Sequence, residues 1–296
     1  MISTPFKSNI ILFKKIILCL SLTMLGGCAT TLDYSPELLK FDSPEVVGKT
    51  LGGSVKYIGG FTPNYVAKEY QPKSNEGEFV FTEYEESDEP FVNKDLTYGL
   101  AGRLGFGKTT EIYVRSVNNS PFTAGIKYQF FGGPMKRKLE GLKASVSIEK
   151  GYYNKIPQSD NFYPYAETTV GLKQDSFGGS LNVGYRFDSK LIVYLNTFFS
   201  VHSVSGELVN KWEDVRIITD RPERKEQNIR MSGKSVAIGS LVGIGIIQSK
   251  AIGVNINLEL GLSHISWPET HIDGELSTPK LPNMVFSTGI SMEKTW

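Results

Sequence analysis

A histidine and a serine two positions apart, His264 and Ser266, form the best match to a catalytic pair in this 296-residue sequence. A serine hydroxyl attacks an acyl ester when a neighbouring imidazole removes its proton. A third polar group must orient the histidine, and Glu275, Thr278 and Asn283 are candidates in the residues that follow. The alternative interpretation is a polar rim where an apolar strand ends.

A second motif concerns phosphate. Residues 102–109 fit the pattern G-x-x-x-x-G-K-[ST] of the phosphate-binding loop. That loop needs a helix after it, because the helix N-terminus faces the phosphates. Residues 111–115 have the composition of a strand instead. We therefore expect no nucleotide, and the sequence predicts no other cofactor and no metal site.

Alternation of apolar and polar residues is the main structural signal, because a strand shows successive side chains to opposite faces. The longest apolar series occupies every second position, at Ile252, Val254, Ile256, Leu258, Leu260 and Leu262. His264 and Ser266 continue that series, so both should share its apolar face. Similar alternation over residues 122–130, 142–149 and 181–188 predicts an all-β chain.

Two architectures can hold such strands. A β-sandwich buries the apolar faces between two sheets, whereas a transmembrane barrel turns them outward to lipid. Several segments run ten or more residues, as a tilted membrane strand requires. Tight turns also alternate with long polar connections toward the C-terminus. We predict a transmembrane, antiparallel, up-and-down β-barrel, with a periplasmic β-sandwich lipoprotein that binds a partner as an alternative.

The pattern predicts about twelve strands, with ten as the alternative count. The predicted ranges are 50–60, 77–85, 96–107, 110–118, 121–132, 139–151, 162–173, 177–188, 190–202, 232–248, 251–265 and 284–296. In the ten-strand alternative, residues 29–95 form a periplasmic extension. Either even number predicts that both chain termini lie in the periplasm.

One set of polar side chains falls on the faces predicted to line the barrel interior. Its members are Arg103, Lys127, Lys143, Glu149, Arg186, Asn257 and Glu259. Charges inside a water-filled channel would set ion selectivity. A barrel of ten or twelve strands is narrow, however, so the same charges could fill it as a network of ion pairs. The sequence leaves both interpretations open.

The H-x-S pair on an outer barrel wall resembles the catalytic pair of outer-membrane phospholipase A and of the lipid A 3-O-deacylases. The resemblance implies a lipid acyl-ester hydrolase with Ser266 as nucleophile and His264 as general base. Asn commonly follows the serine in those families, whereas Trp267 and Pro268 follow here. Hydrolysis is therefore an alternative to a non-enzymatic envelope protein, either a narrow pore or a structural and interaction barrel.

The N-terminus has three lysines followed by an apolar run over residues 16–25, which is the pattern of a secretory signal. Residues 25–28, Leu-Gly-Gly-Cys, resemble the bacterial lipobox. The resemblance implies a signal peptide over residues 1–27, lipidation of Cys28 and a bacterial outer-membrane lipoprotein. The C-terminal strand that ends in Trp296 resembles the insertion signal of outer-membrane barrels. We predict a lipidated periplasmic tether over residues 28–48 and a barrel over residues 49–296.

Charge limits the partners. The net charge of +1 includes the three lysines before Cys28, so the chain from Cys28 onward carries about −2. A nucleic-acid partner would need a strongly basic face, so none is expected. The expected partners are outer-membrane lipid and the machineries that sort lipoproteins and assemble barrels.

Overall fold

The computed structural model describes residues 30–70, 90–135, 139–162, 166–188, 190–214, 223–247, 254–278 and 280–296. The chain divides into two compact units. Of the first, Met1–Thr30 with Tyr70–Glu85, only the residues Thr30 and Tyr70 are described. The second, Thr31–Glu69 with Glu86–Trp296, contains the sheet. The predicted signal peptide, Cys28 and the predicted strand 77–85 lie outside the described residues.

The described elements are strands. In chain order they are β1 (Thr30–Tyr34), β2 (Gly53–Tyr70), β3 (Phe91–Gly105), β4 (Thr110–Val117), β5 (Phe122–Phe131), β6 (Gly141–Phe162), β7 (Ala166–Arg186), β8 (Leu191–Asp214), β9 (Glu223–Ile247), β10 (Val254–Ser266), β11 (Glu269–Ile272), β12 (Glu275–Ser277) and β13 (Met284–Thr295). Within the part of the chain that the structure describes, no helix is long and apolar enough to cross a membrane.

Ten of the described strands close into a ring. Strands β2 to β10 pair in chain order, β10 pairs with β13, and β13 pairs with β2, each pair antiparallel. A sheet that returns to its first strand has no free edge and is a barrel. The predicted all-β antiparallel barrel is confirmed, with ten strands. The two-sheet sandwich is wrong.

The observed count is two lower than the predicted twelve, because the predicted strand 77–85 lies outside the described residues and two other predicted ranges form a single strand. The predicted ranges 162–173 and 177–188 both fall on β7 (Ala166–Arg186), which stays paired with β6 and β8 through Gln174 and Asp175. In sequence these polar residues resemble a turn. The predicted strand 50–60 corresponds to β2, which is part of the ring. A periplasmic extension over residues 29–95 is therefore also wrong.

The apolar faces of the ring strands point outward. In β5, Ile126 and Tyr128 are each about half exposed, whereas their neighbours Lys127 and Gln129 are buried. The same alternation continues around the ring, with exposed side chains that include Leu104, Ile112, Val146, Leu181, Leu195, Val242, Leu260 and Phe286. The outside of the ring is therefore a belt of large apolar side chains.

The two ends of the ring differ. At the end that we call the turn end, connections of four to nine residues join the strands, over residues 106–109, 132–140, 187–190 and 248–253. At the opposite end, the loop end, 20 residues of sequence separate β2 from β3 and 17 separate β10 from β13, while residues 118–121 join β4 to β5. Strands β6 to β9 project toward the loop end: they have 21 to 25 residues, against 8 in β4 and 10 in β5.

Residues 31–47, hereafter the lumen segment, lie inside the ring. Nearly all of their side chains are buried, including Leu38, Phe41 and Glu45. The sequence predicts a lipidated periplasmic tether over residues 28–48, whereas the described residues 31–47 of that range pack inside the ring, and the lipidation stays a prediction. The physical reason is that the segment carries apolar side chains and charges that find partners on the inner wall, as described below.

Candidate functional site

Contacts of the lumen segment reach all ten strands of the ring. It makes polar contacts with Asn64 of β2, Arg103 of β3, Arg115 of β4, Lys127 of β5, Glu149 of β6, Arg186 of β7 and Glu259 of β10. It also shares one apolar cluster with Phe198 of β8, Leu241 of β9 and Val285 of β13. A segment surrounded by every strand of a closed ring fills its lumen.

Four charged residues of the lumen segment form ion pairs with the wall. Glu37 pairs with Arg115, and Lys40 Nζ lies 2.5 Å from Glu149 Oε1. Asp42 Oδ1 lies 2.6 Å from Lys127 Nζ. Glu45 pairs with Arg186, whose Nε donates to Glu45 Oε1 at 2.7 Å. Buried charges persist only when they are paired in this way.

The charges of segment and wall are complementary. Residues 31–47 contain four acidic residues and one basic residue. The described inner wall carries six basic and four acidic residues in ion pairs or hydrogen bonds of the lumen: Lys56, Arg103, Arg115, Lys127, Lys143 and Arg186, with Glu111, Glu149, Glu259 and Glu293. The acidic segment therefore offsets the positive excess of these wall residues.

All seven side chains that the sequence predicts to line a pore face the lumen. Arg103, Lys127, Lys143, Arg186, Asn257 and Glu259 are buried, and Glu149 is nearly so. Four of them contact charged side chains of the lumen segment: Lys127, Lys143, Glu149 and Arg186. Three of these contacts are the ion pairs described above, and in the fourth Lys143 Nζ lies 3.9 Å from Glu45 Oε1. Glu259 accepts hydrogen bonds from the backbone N–H of Phe41 at 2.7 Å and from Tyr194 at 3.0 Å. Asn257 donates to Ser291 on the neighbouring strand at 3.2 Å.

Sequence alone did not reveal what fills the lumen. The sequence analysis did not identify the residues that pair with the wall charges, which are Glu37, Lys40, Asp42 and Glu45. These residues lie outside any strand, so the periodicity of strands could not predict their position. One signal was available: large apolar residues occupy inward positions that a water-filled lumen would not favour. Ile58, Phe198, Leu241, Ile265 and Val285 pack with Leu38, Leu39 and Phe41. An apolar inner face predicts an apolar occupant.

The candidate catalytic pair lies on the outer surface, at the loop end of β10. His264 and Ser266 are both exposed and share the outward face with Leu260 and Leu262. The Ser266 hydroxyl accepts a hydrogen bond from the backbone N–H of Val236 at 2.9 Å. Among the described contacts, none joins the serine hydroxyl to the imidazole. The candidate nucleophile and the candidate base therefore share one face of the strand, but no described hydrogen bond joins them.

The three candidates for a third catalytic member are placed differently. Glu275 lies in β12 and is exposed, and Thr278 is also exposed. The backbone carbonyl of Asn283 accepts a hydrogen bond from the Ile265 N–H at 2.7 Å. The register sets His264 beside Ile238 and Met284, which are apolar. No described carboxylate or amide side chain contacts this imidazole.

The structure contains a second, hydrogen-bonded serine and histidine pair that the sequence analysis missed. The Nε2 atom of His202 lies 3.0 Å from the hydroxyl of Ser200 in β8. Both residues face the lumen and are buried, and the Tyr34 ring packs edge-on against the imidazole with centroids 5.7 Å apart. Because the lumen segment covers this pair, it is an interior polar contact rather than a substrate site.

The projecting wall of β6 to β9 carries an open groove of about 660 Å³. Its lining includes three cationic residues, Lys155, Lys173 and Arg230, against one carboxylate, Glu207. Arg230 Nε donates to Glu207 Oε1 at 3.0 Å, and both side chains are largely exposed. On strands β7 to β9 the apolar belt ends at the paired residues Phe177, Val201 and Val236. The groove lies on the loop-end side of these residues.

The glycine-rich pattern over residues 102–109 lies at the turn end and continues into a strand. Residues 102–105 end β3, and β4 begins at Thr110, so the prediction of a strand after the motif is confirmed. A helix N-terminus that could face phosphates does not follow. Within the described residues, no cluster of three or more His, Cys, Asp or Glu could hold a metal ion.

No protein-family model matches the chain, and no curated protein matches it. Among solved structures, Neisserial surface protein A is 10% identical, with 83% of this chain and 98% of that chain covered and a TM-score of 0.30. The outer membrane protease OmpT from Escherichia coli is 10% identical, with 83% and 94% covered and a TM-score of 0.33. OmpT of Vibrio cholerae is 8% identical, with 85% and 100% covered and a TM-score of 0.21. These TM-scores are too low to support an argument from similarity. The assignment of a barrel therefore comes from the strand pairing observed in this chain.

Proposed function

We propose that this protein is an outer-membrane β-barrel lipoprotein of the cell envelope, with a structural and interaction role, whose lumen is closed by its own N-terminal segment. The observation that carries the proposal is a closed ring with an apolar outside and a filled inside. It combines a surface that suits lipid with an interior that leaves no wide aqueous path.

The outer surface supports a membrane location. Soluble monomers rarely expose contiguous apolar patches larger than a few hundred Å². Here exposed apolar side chains surround the ring, among them Phe61, Leu100, Phe130 and Ile148. In a bilayer these side chains face acyl chains, and the closed ring gives each of its strands a hydrogen-bonded neighbour on both sides.

The filled lumen favours an interaction role over a narrow pore. A pore needs a continuous aqueous path between its two mouths. The lumen segment contacts all ten strands, and its charges neutralise the side chains that would otherwise set ion selectivity. The groove on the projecting wall, with Lys173 and Arg230 exposed at the loop end, offers a surface where a partner can bind.

The lipid anchor and the assembly partners belong to the same proposal. Lipidation of Cys28 is supported by the lipobox-like sequence of residues 25–28. A lipoprotein-sorting machinery would deliver such a chain, and a barrel-assembly machinery would close the ring. Outer-membrane lipid would then cover the apolar belt. No enzymatic activity is proposed, because no described hydrogen bond joins Ser266 to His264.

A membrane extraction experiment tests the proposal. The full chain and a Cys28→Ala variant with a non-lipoprotein signal are expressed in a Gram-negative host. Both should remain in the urea-washed outer-membrane fraction, and both should migrate faster on a detergent gel before heating than after. Release of the Cys28→Ala protein into buffer, with identical migration before and after heating, would refute the membrane barrel.

A further inference from the structure

The lumen segment runs in one direction through the barrel. Near its start, Asp33 accepts a hydrogen bond at 3.0 Å from Asn64, which lies in the half of β2 nearer the loop end. Tyr34 packs against Trp267, also at the loop end. Near its finish, the backbone N–H of Val47 donates to Glu111 at 3.0 Å, one residue after β4 begins at the turn end. The chain therefore passes from the loop end to the turn end.

Intermediate contacts follow the same order. Ser120, in the β4–β5 connection at the loop end, donates to the carbonyl of Ser35 at 3.2 Å. Glu45 reaches Arg186, the last residue of β7 at the turn end. Residues 49–52 then form a turn in which the Leu51 N–H donates to Gly105 at 3.1 Å, and β2 begins at Gly53. The segment crosses the lumen once and does not double back.

The amino end of the segment is fixed at the mouth of the barrel. Strand β1 pairs with β2. The pairing of β13 with β2 stops at Phe61, so the edge of β2 beyond that residue is free for β1. Tyr65 in this part of β2 stacks on Trp267 with ring centroids 5.7 Å apart. Thr31 therefore lies at the loop end, opposite to Trp296, whose N–H donates to Gly53 at the turn end.

In outer-membrane barrels the short turns face the periplasm and the long connections face outward. We infer that this chain threads its own barrel so that the stretch before Thr31 emerges on the cell exterior. The inference rests on the proposed outer-membrane location. It assigns a lipid at Cys28 to the outer leaflet, because the three-residue step to Thr31 spans only about 10 Å when fully extended. Because the ring has an even number of strands, β2 begins and β13 ends on the same side, so Trp296 lies in the periplasm. The lumen segment crosses the barrel once more, which puts its amino end on the opposite side.

An epitope inserted between Ala29 and Thr30 tests the threading. Matched insertions of the same epitope after Asp273, in the β11–β12 turn at the loop end, and after Lys108, at the turn end, provide the two reference sides. Antibody binding is measured on intact and on permeabilised cells expressing the full chain. We expect the Thr30 insertion to bind antibody on intact cells as strongly as the Asp273 insertion, and the Lys108 insertion to bind only after permeabilisation.

Several outcomes separate this inference from the proposed function. Detection of the Thr30 epitope only after permeabilisation, in a protein whose gel migration remains heat-modifiable, would overturn the threading and leave the barrel intact. Loss of heat-modifiable migration in the uninserted protein would overturn the proposed function instead. Acylation is followed by incorporation of a labelled fatty acid, and a surface epitope without acylation would support the threading while removing the lipid.

A disulfide provides a second measurement that does not depend on an inserted epitope. Cys19 and Cys28 are the only cysteines of the chain. The double variant Asp33→Cys with Asn64→Cys places two thiols where the side chains now share a hydrogen bond. We expect these thiols to cross-link in the folded barrel. The matched pair Asp33→Cys with Glu111→Cys should not cross-link, and the reverse result would show that the segment runs in the opposite direction.

Discussion

Glu45 of the lumen segment and Arg186 of β7 form a two-point ion pair inside the barrel. Arg186 donates through Nε at 2.7 Å to one carboxylate oxygen and through Nη2 to the other. The side chains are 0% and 1% exposed, respectively. Two parallel hydrogen bonds between a guanidinium and a carboxylate fix orientation as well as charge. This pair therefore sets the depth of the lumen segment at the turn end.

Removing one partner of this pair should destabilise the folded barrel. Glu45→Gln leaves the Arg186 guanidinium buried without a counter-charge, and such losses cost about 3–5 kcal/mol. The measurement is the free energy of unfolding by urea in lipid bilayers. The double variant Glu45→Leu with Arg186→Met should recover part of the loss, because both charges of the pair are then absent while Lys143 still loses its contact with Glu45.

An exposed ion pair provides the matched control for that experiment. Arg230 and Glu207 lie 3.0 Å apart on the outer wall with side chains 68% and 48% exposed. Exposed pairs contribute roughly 0–1 kcal/mol. Glu207→Gln should therefore change the unfolding free energy far less than Glu45→Gln. Equal losses in the two variants would contradict the buried position of the lumen segment.

The reconstituted protein should not conduct ions, whereas a barrel with a displaced lumen segment should. The variant Asp42→Lys with Glu45→Lys sets like charges against Lys127 and Arg186 and should expel the segment. Single-channel recording in planar bilayers measures the change. Heat-modifiable migration verifies that the ring still folds. Steady conductance by the wild-type barrel would show that an aqueous path exists beside the segment.

Replacement of the candidate nucleophile should leave envelope lipids unchanged. The Ser266 hydroxyl accepts a hydrogen bond from the Val236 N–H, and no described hydrogen bond joins it to His264. We expect Ser266→Ala and wild-type cells to have the same profile of acyl chains in phospholipids and in lipid A. Mass spectrometry of extracted lipids provides the comparison. A loss of deacylated species in the variant alone would establish the hydrolase that the sequence resembles.

The turn between β7 and β8 should respond to acid. The carboxylate of Asp188 accepts hydrogen bonds from the backbone N–H groups of Lys190 at 2.6 Å and Leu191 at 2.8 Å. These hydrogen bonds hold the pKa of Asp188 below its usual value. A group with a lowered folded-state pKa stabilises the fold above its unfolded pKa, and the contribution disappears as pH falls through the folded value.

The matched substitution for this turn is Asp188→Ala. Its urea midpoint should lie below that of the wild type at pH 7, and the difference should vanish once the wild-type carboxyl is protonated. NMR titration of Asp188 measures the pKa directly. An Asp188 that titrates at or above the value of a free aspartate would contradict the two hydrogen bonds.

The class of fold could be predicted from the amino-acid sequence. Alternation over segments such as residues 252–262 predicts long strands with one apolar face, because successive side chains of a strand point to opposite sides. It also identified the inward residues Arg103, Lys127 and Arg186, because their position in the alternation depends only on local periodicity. Strand count was less certain, since the polar residues 173–176 of β7 interrupt the apolar series without ending the strand.

The occupant of the lumen could be identified only from contacts that form in the folded barrel. The contacts between the lumen segment and the wall join residues far apart in sequence, such as Phe41 with Glu259 and Glu45 with Arg186, and no periodic pattern links them. His264 and Ser266 show the same limit. Their shared face follows from their spacing, but the contact that catalysis requires depends on side-chain placement. The physical reason is that periodicity fixes directions along one strand, whereas partners depend on how the closed ring brings distant strands together.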